Sequence, residues 1–270
     1  MRSVFVTVIG LAATTLTFQA QAYDENDLKK LKSDNACVEC DLRRTKMHSA
    51  DMMGADLKDA NLREAILKNI DLKKTNLDEA DLRRADLEKA NLENASLVDA
   101  ILKNTDLEKS ILHKANFTEA DMRQADLENA VGDNTVFTKA DMRQTNFKRT
   151  RFNGGLFNDA RLNESNFKRA VLNGTDFSNS KIKNTRFTRA ELKNANFNGS
   201  TLAQSNFYRA NLVSATFEKA DLESAIFWQA DLSGADMSGA KNLKAEQLDG
   251  ACGDDKTRLP EGLPSLPNCS

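Results

Sequence analysis

The chain has 270 residues, with 38 Lys and Arg against 40 Asp and Glu and a formal charge of −2. That balance excludes both the lysine excess of a nucleic-acid binder and a uniformly acidic surface. Only 3 prolines occur, all at or beyond Pro260, so the long middle of the chain is not loop-rich and something regular must occupy it.

The first segment, MRSVFVTVIGLAATTLTFQAQA, has one basic residue (Arg2), an apolar run from Val4 to Phe18, and small residues at Ala20 and Ala22. This is the pattern of a secretory signal peptide (residues 1–22) cleaved after Ala22, and the run is too short and weakly flanked for a membrane span. The mature protein is therefore expected in the periplasm or outside the cell, with no integral membrane segment. All 4 cysteines, Cys37, Cys40, Cys252 and Cys269, lie beyond the cleavage point, and an even number in an oxidising compartment favours disulfides.

Residues 23–40 form an N-terminal cap. YDENDLKKLKSDNA places Leu28 and Leu31 three apart, with acids early and lysines late, which predicts a short helix covering the near end of the regular middle region. Cys37 and Cys40 come directly after it in CVECDL.

From Leu42 to Met237 every fifth residue is Leu, Met, Phe or Ile, except Gly132. Two residues before each of these the chain carries Ala, Ser, Thr, Cys or Gly, except at Ile70. The unit A(D/N)Lxx is plain in ADLRRADLEKANLENA (Ala80 to Ala95). A period of five fits neither the 3.6 of a helix nor the 2 of a strand, and points to a solenoid whose short units turn corners. A second period is superposed. Phe147, Phe167, Phe187, Phe207 and Phe227 recur every twenty residues, as do Phe117, Phe137, Phe157, Phe177, Phe197 and Phe217.

A(D/N)Lxx repeated over forty consecutive sites resembles the pentapeptide-repeat proteins. The resemblance implies an all-β solenoid, a right-handed quadrilateral β-helix in which four pentapeptides make one square coil. The central apolar residue and the small residue before it then point inward. Residues 41–240 would give about ten coils, roughly 48 Å of rod at an inter-strand spacing of about 4.8 Å.

Within the repeat, Gly132 removes a core side chain and predicts a void or a locally bent coil. Beside it Val131, Val136, Leu156 and Val171 stand at the outward site usually held by Asp or Asn. They read either as local repacking or as an apolar contact patch for a partner or a second copy. Residues 241–270 lose the register in KNLKAEQLDGA and end in an irregular, proline-bearing tail bracketed by Cys252 and Cys269. The two cysteine pairs would sit at opposite ends of the rod, which excludes one shared metal site. Structural disulfides are the favoured reading, with a redox CxxC the alternative for Cys37 and Cys40.

No cofactor, metal centre or catalytic residue is expected. His48 and His113 fall on different faces, and no phosphate loop or nucleophile motif occurs. The surface offers charge sorted by face instead. The face carrying NFKR is net basic and its opposite net acidic, so a near-neutral chain has a polar cross-section. Arg149, Arg169, Arg189 and Arg209 form a ladder on the basic face, with Lys148, Lys168 and Arg186 alongside and Tyr208 and Trp228 continuing it. A second basic row runs Arg43, Arg63, Arg83, Lys103, Arg123, Arg143. Either row could be simply solvated, but cations next to exposed aromatics also mark interfaces.

One branch of the resembling family mimics DNA and binds DNA gyrase. The export signal, the lack of a strongly negative surface and the uninterrupted repeats set this chain apart from it, and place it nearer the exported members with a CxxC before the first repeat. The expected function is a non-enzymatic exported scaffold or interaction protein, binding a protein or anionic envelope component along the basic face and no nucleic acid. The alternative is a structural or self-associating module, such as a homo-oligomer; gyrase binding ranks third.

Overall fold

The structure, a computed structural model, describes residues 23–269, so the expected signal peptide lies outside the described residues. The helix α1 spans Glu25–Asp34. Asp24 caps it by accepting from the Asn26 and Asp27 amides, Glu25 and Asp27 complement the positive end of its dipole, and Asn35 closes it in the left-handed conformation. Leu31 is buried and Leu28 partly so, both against the first coil. Polar contacts fix the helix there as well. The Asp41 amide donates to Asp27 Oδ2 at 2.8 Å, and the Asp24 amide to the Asp41 carbonyl at 3.0 Å.

From Ala36 to Lys241 parallel bridges join residues twenty apart without a break, as in Asp41↔Asn61↔Asp81. Each pentapeptide does the same thing. Its first residue pairs with the coils on both sides, its second points inward, its third and fourth turn the corner, and its fifth points inward again. The corner is a four-residue turn closed by a bond such as Ala65 N–H to Leu62 O at 3.1 Å. The fourth residue has φ near +57°, as at Glu64, which is the conformation a type II turn asks of its third residue. Glycine fills that site at Gly54 and Gly174, but lysine, arginine and glutamate fill it elsewhere. Their strain is offset because the same amide joins the inter-coil ladder, as Glu64 N–H does to Arg83 O at 3.0 Å. Four corners and four sides make a quadrilateral β-helix.

The interior is two phenylalanine columns and two aliphatic ones. Phe147 stacks on Phe167 with ring centroids 4.5 Å apart, and Phe207 on Phe227 at 5.0 Å. The two columns meet edge to face inside the coil, as Phe197 and Phe207 do at 5.7 Å and 84°. Both arrangements suit the ring quadrupole. Buried threonines at the small-residue site return their hydroxyls to backbone carbonyls, as Thr105 Oγ1 does to Leu82 O at 2.8 Å.

Gly132 leaves neither the void nor the bend its sequence suggests. Its amide keeps the ladder bond to Arg151 O at 2.7 Å, and Val131 still bridges Arg151. The space it vacates is taken by Phe152, one coil further on in the same column. A Cβ built on Gly132 would overlap Phe152 Cε1 and lie 2.8 Å from Phe152 Cδ1. The two residues are a matched small-and-large pair, with Phe152 edge-on to Phe137, Phe147 and Phe157.

Past residue 240 the register slips. Asp221 still bridges Lys241, but Asp231 pairs with Cys252 and Asp236 with Arg258. The first extra residue is absorbed around a short 3₁₀ turn, Ala245–Leu248, whose Gln247 side chain donates to Leu222 O and Ala225 O and covers the open coil, and the second falls between Cys252 and Arg258. Disulfides join Cys37 to Cys40 and Cys252 to Cys269. The second ties the last described residues to the end of the solenoid, next to the Gly253↔Asn268 bridge.

Candidate interaction surface

Both outward residues of a corner are held by backbone that cannot slide, so side chains twenty apart stack in rows. On the NFKR face the third and fourth residues form two such rows. Arg149, Arg169, Arg189 and Arg209 are all exposed at left-handed corners, with φ from 55° to 60°. Their electrostatic situations differ. Arg149 Nη1 and Lys148 Nζ share one carboxylate, Glu128 Oε1, at 3.0 and 2.8 Å. Arg209 donates to Gln229 Oε1 at 2.6 Å and lies over the Tyr208 ring, 5.1 Å from its centroid. Lys168, Arg169, Arg186 and Arg189 are exposed and form no ion pair among the described residues. Tyr208 and Trp228 stack at 5.0 Å, and Trp228 is 48% exposed with Gly250 close against its ring. A Cβ at Gly250 would come within 3.0 Å of that ring.

The second basic row is not free charge except at Lys103, which forms no ion pair among the described residues. Arg43, Arg83, Arg123 and Arg143 each fold back onto the aspartate two positions before them, as Arg143 Nη2 does on Asp141 at 2.7 Å. Arg63 reaches Asp81 at 3.9 Å. Where the row has an aspartate two residues before its arginine, that spacing also neutralises it. Lys103, Arg123 and Arg143 border a shallow depression of ≈ 340 Å³, edged by a Gln124–Gln144–Glu164 hydrogen-bond ladder.

The apolar patch does not assemble as one surface. Val131 and Val171 are separated on their face by Arg151, and Val136 with Leu156 stack on the next face round the corner. Leu156 alone of the four is exposed, at 40%. The histidines stay apart. His113 Nδ1 accepts from the Asp133 amide at 3.0 Å, while His48 is exposed. Asp27 lies beside Cys37 and Cys40, and Asp231 beside Cys252 and Cys269, but each sulfur pair is a disulfide and offers no thiolate to a metal.

Sequence reasoning misses the acidic stretch below the arginines on the same face. Asp86, Asp106 and Asp126 are successive rungs, with Glu88, Glu108 and Glu128 beside them. Glu88 is surrounded by Lys68, Lys89 and Lys109, and hydrogen bonds from Lys68 and Lys89 lower its pKa to about 2. Asp106 and Asp126 have no ion pair among the described residues. Burial, then the charges of Asp86, Asp126 and Glu108, push the Asp106 carboxyl above its ordinary range against the bond from the Glu108 amide. A raised carboxyl favours the fold below the ordinary carboxylate range, and that contribution is lost as pH rises through the folded value. Asp106→Asn should therefore raise stability to urea at pH 7 by about 1 kcal/mol, with solvent screening limiting the charge contribution and a new hydrogen bond adding to it. The amide can donate to Asp86 as Asn146 does to Asp126 at 3.0 Å. The gain should shrink toward about pH 3, and a gain independent of pH would refute the electrostatic account.

Among the described residues no helix is long and apolar enough to cross a membrane. Sequence profiles of pentapeptide repeats (8 copies) match residues 55–94, 75–113 and 115–154, and a profile of a pentapeptide repeat region matches 150–227. No curated protein sequence matches significantly. Among solved structures the chain is similar to HetL, a pentapeptide repeat protein involved in heterocyst differentiation regulation in the cyanobacterium Nostoc sp. The two are 29% identical, covering 71% of this chain and 86% of that one, with a TM-score of 0.51. It is also similar to a trypsin-treated variant of QnrB1, a plasmid-mediated fluoroquinolone resistance protein, at 11% identity over 78% of this chain and 92% of that one, TM-score 0.48. With the five-residue unit read in the sequence and its twenty-residue circuit read in the bridges, the chain belongs to the pentapeptide-repeat family, whose right-handed quadrilateral β-helix it shares.

Proposed function

We propose that this protein is a non-enzymatic, exported scaffold that binds a protein or anionic envelope partner along the basic block from Lys148 to Arg209. One observation carries the reading. On that face the four successive pentapeptides NFKRT, NFKRA, RFTRA and NFYRA hold no carboxylate, and the cations from Lys168 to Arg189 are exposed without an ionic partner among the described residues. Unpaired cations on a rigid lattice retain their field, and no backbone has to be ordered when a ligand meets them. Tyr208 and Trp228 extend the block with aromatic surface of the kind found at interface hot spots. In this reading residues 23–40 and 241–270 are covers for the two ends of a rod of about ten coils. Residues 1–22 direct the chain to the periplasm or the cell exterior and are removed after Ala22.

The test is capture from periplasmic extract by the wild type and by Arg149→Glu, Arg169→Glu, Arg189→Glu, Arg209→Glu combined. The reversed variant should lose the partners that the wild type retains at low salt. An unchanged set of partners would remove the site.

A further inference from the structure

The basic block is half of a longer pattern on the same face. Reading up the ladder from Lys46 to Ile226, the rungs at Asp86, Asp106 and Asp126 carry six carboxylates and only Lys89 and Lys109, whereas the four rungs from Asn146 to Asn206 carry cations alone. The change of sign falls between Asp126 and Asn146, at the middle of the ladder. Such a surface is complementary to itself when turned end for end.

We infer that two copies of this chain associate side by side and antiparallel through the NFKR face, about a twofold axis passing between the Asp126 and Asn146 rungs. Each rung below the axis then faces its counterpart above it. Glu108 meets the rung of Lys168 and Arg169, and Glu88 meets that of Arg186 and Arg189. Ile66 comes opposite the rung of Tyr208, and Lys68, on the rung of Ile66 and so facing that of Arg209, is held by Asp86 and Glu88 of its own copy. The match is made twice, once on each side of the axis, and the contact closes on itself without leading to a filament. Rung spacing is the same about 4.8 Å in both copies, so opposite charges stay in step over the six central rungs from Asp86 to Arg186.

The arrangement accounts for two features that a single copy leaves open. Lys168, Arg169, Arg186 and Arg189 have no ionic partner among the described residues of their own chain. Asp106 and Asp126 have none either, and burial, followed by its like-charged neighbours, holds the Asp106 carboxyl above its ordinary range. The contact is also large enough. Nine steps of about 4.8 Å, by about 15 Å for five residues across, give roughly 650 Å² per copy, close to the ~800 Å² of a standard interface. Complementary potentials of this kind set partner and orientation.

The inference rests on this face being the interaction surface, and it names a second copy as the protein that occupies it. Sedimentation velocity at tens of micromolar and low salt tests it on three proteins: the wild type, the variant Lys168→Glu, Arg169→Glu, Arg189→Glu, and the variant Glu88→Lys, Glu108→Lys. Far-ultraviolet circular dichroism first checks that both variants fold, as their surface positions predict. The wild type should be a dimer that dissociates with a roughly tenfold or greater weakening between about 50 and 300 mM salt. Each variant alone should be a monomer, and an equimolar mixture of the two should dimerise. A monomeric wild type overturns the inference, as does a dimer unaffected by both variants. If the wild type is monomeric yet the arginine variant of the capture experiment still loses its partners, the antiparallel pair fails and the basic-face reading stands. Loss of neither removes both.

Discussion

Gly132→Leu, which installs the residue most common at its repeat position, is expected to destabilise the protein by about 3 kcal/mol or more. A consensus view would predict the reverse, since glycine leaves a hole in a column that otherwise runs Leu92, Leu112, then Leu172, Leu192. The hole is already filled. Phe152 lies where a Cβ on Gly132 would go, and Thr135 Oγ1, which donates to Leu112 O at 2.8 Å, stands beside it. Neither can withdraw. Phe152 is fully buried and edge-on to three other rings, so leucine would have to displace a coil. Phe152→Ala should itself cost about 3–5 kcal/mol by opening the cavity that the sequence suggests. The combination Gly132→Leu with Phe152→Leu should recover most of the loss, because it gives an unbroken leucine column from Leu112 to Leu172. Urea midpoints for the two singles and the double form a cycle with a large favourable coupling. Simple additivity, or a Gly132→Leu protein as stable as the wild type, would show that the two residues are not a pair.

Removing the disulfide between Cys252 and Cys269, by Cys252→Ser with Cys269→Ser, should cost about 3 kcal/mol, the loop-closure value for a ring of roughly that length. The bond between Cys37 and Cys40 spans only 3 positions and should contribute less. The location of the loss matters as much as its size. In a solenoid each coil is held by its neighbours, so freeing the tail should fray the last circuit first. Leu232 N–H bonds to Cys252 O at 2.9 Å and Met237 N–H to Arg258 O at 2.7 Å, both on the tail that the disulfide secures. Hydrogen exchange should accelerate at these two amides on reduction, while the Leu172 amide, with further coils stacked on both sides of it, stays protected. Uniform acceleration along the rod would mean that the disulfide acts on global stability alone.

The interior is nearly all legible in the sequence because it is periodic. Phe147 and Phe167 sit twenty apart since they are one column, and the same spacing fixes which outward residues share a face. What escapes is whatever depends on two rungs at once. Gly132 and Phe152 are also twenty apart, so their pairing is available in principle, but along the chain each stands as an isolated exception. The row Arg43, Arg83, Arg123, Arg143 looks basic because the aspartate two positions before each arginine belongs to the repeat consensus and carries no signal of its own. In the structure it is the ion-pair partner. Summing charge over the whole NFKR face likewise hides its two halves. The left-handed corners have only a broken sequence signal, since Lys, Arg and Glu occupy many of the sites where glycine or asparagine would have announced the turn.

The pairing of residues at a separation of twenty, as in Asn146↔Asn166, carries a consequence for how such a chain can change length. Loss or gain of twenty residues removes or inserts one full circuit, and every side chain beyond the junction keeps its compass direction. Loss of five is different. The backbone still matches, because every pentapeptide presents the same two inward positions, but everything downstream turns by a quarter and the phenylalanine columns are set over aliphatic ones. The arginine row from Arg169 to Arg209 would then continue a neighbouring side of the rod. The backbone ladder accepts steps of five, while ring stacking in the core and a surface pattern with direction survive only steps of twenty, so insertions and deletions are quantised by side chains more coarsely than by the backbone.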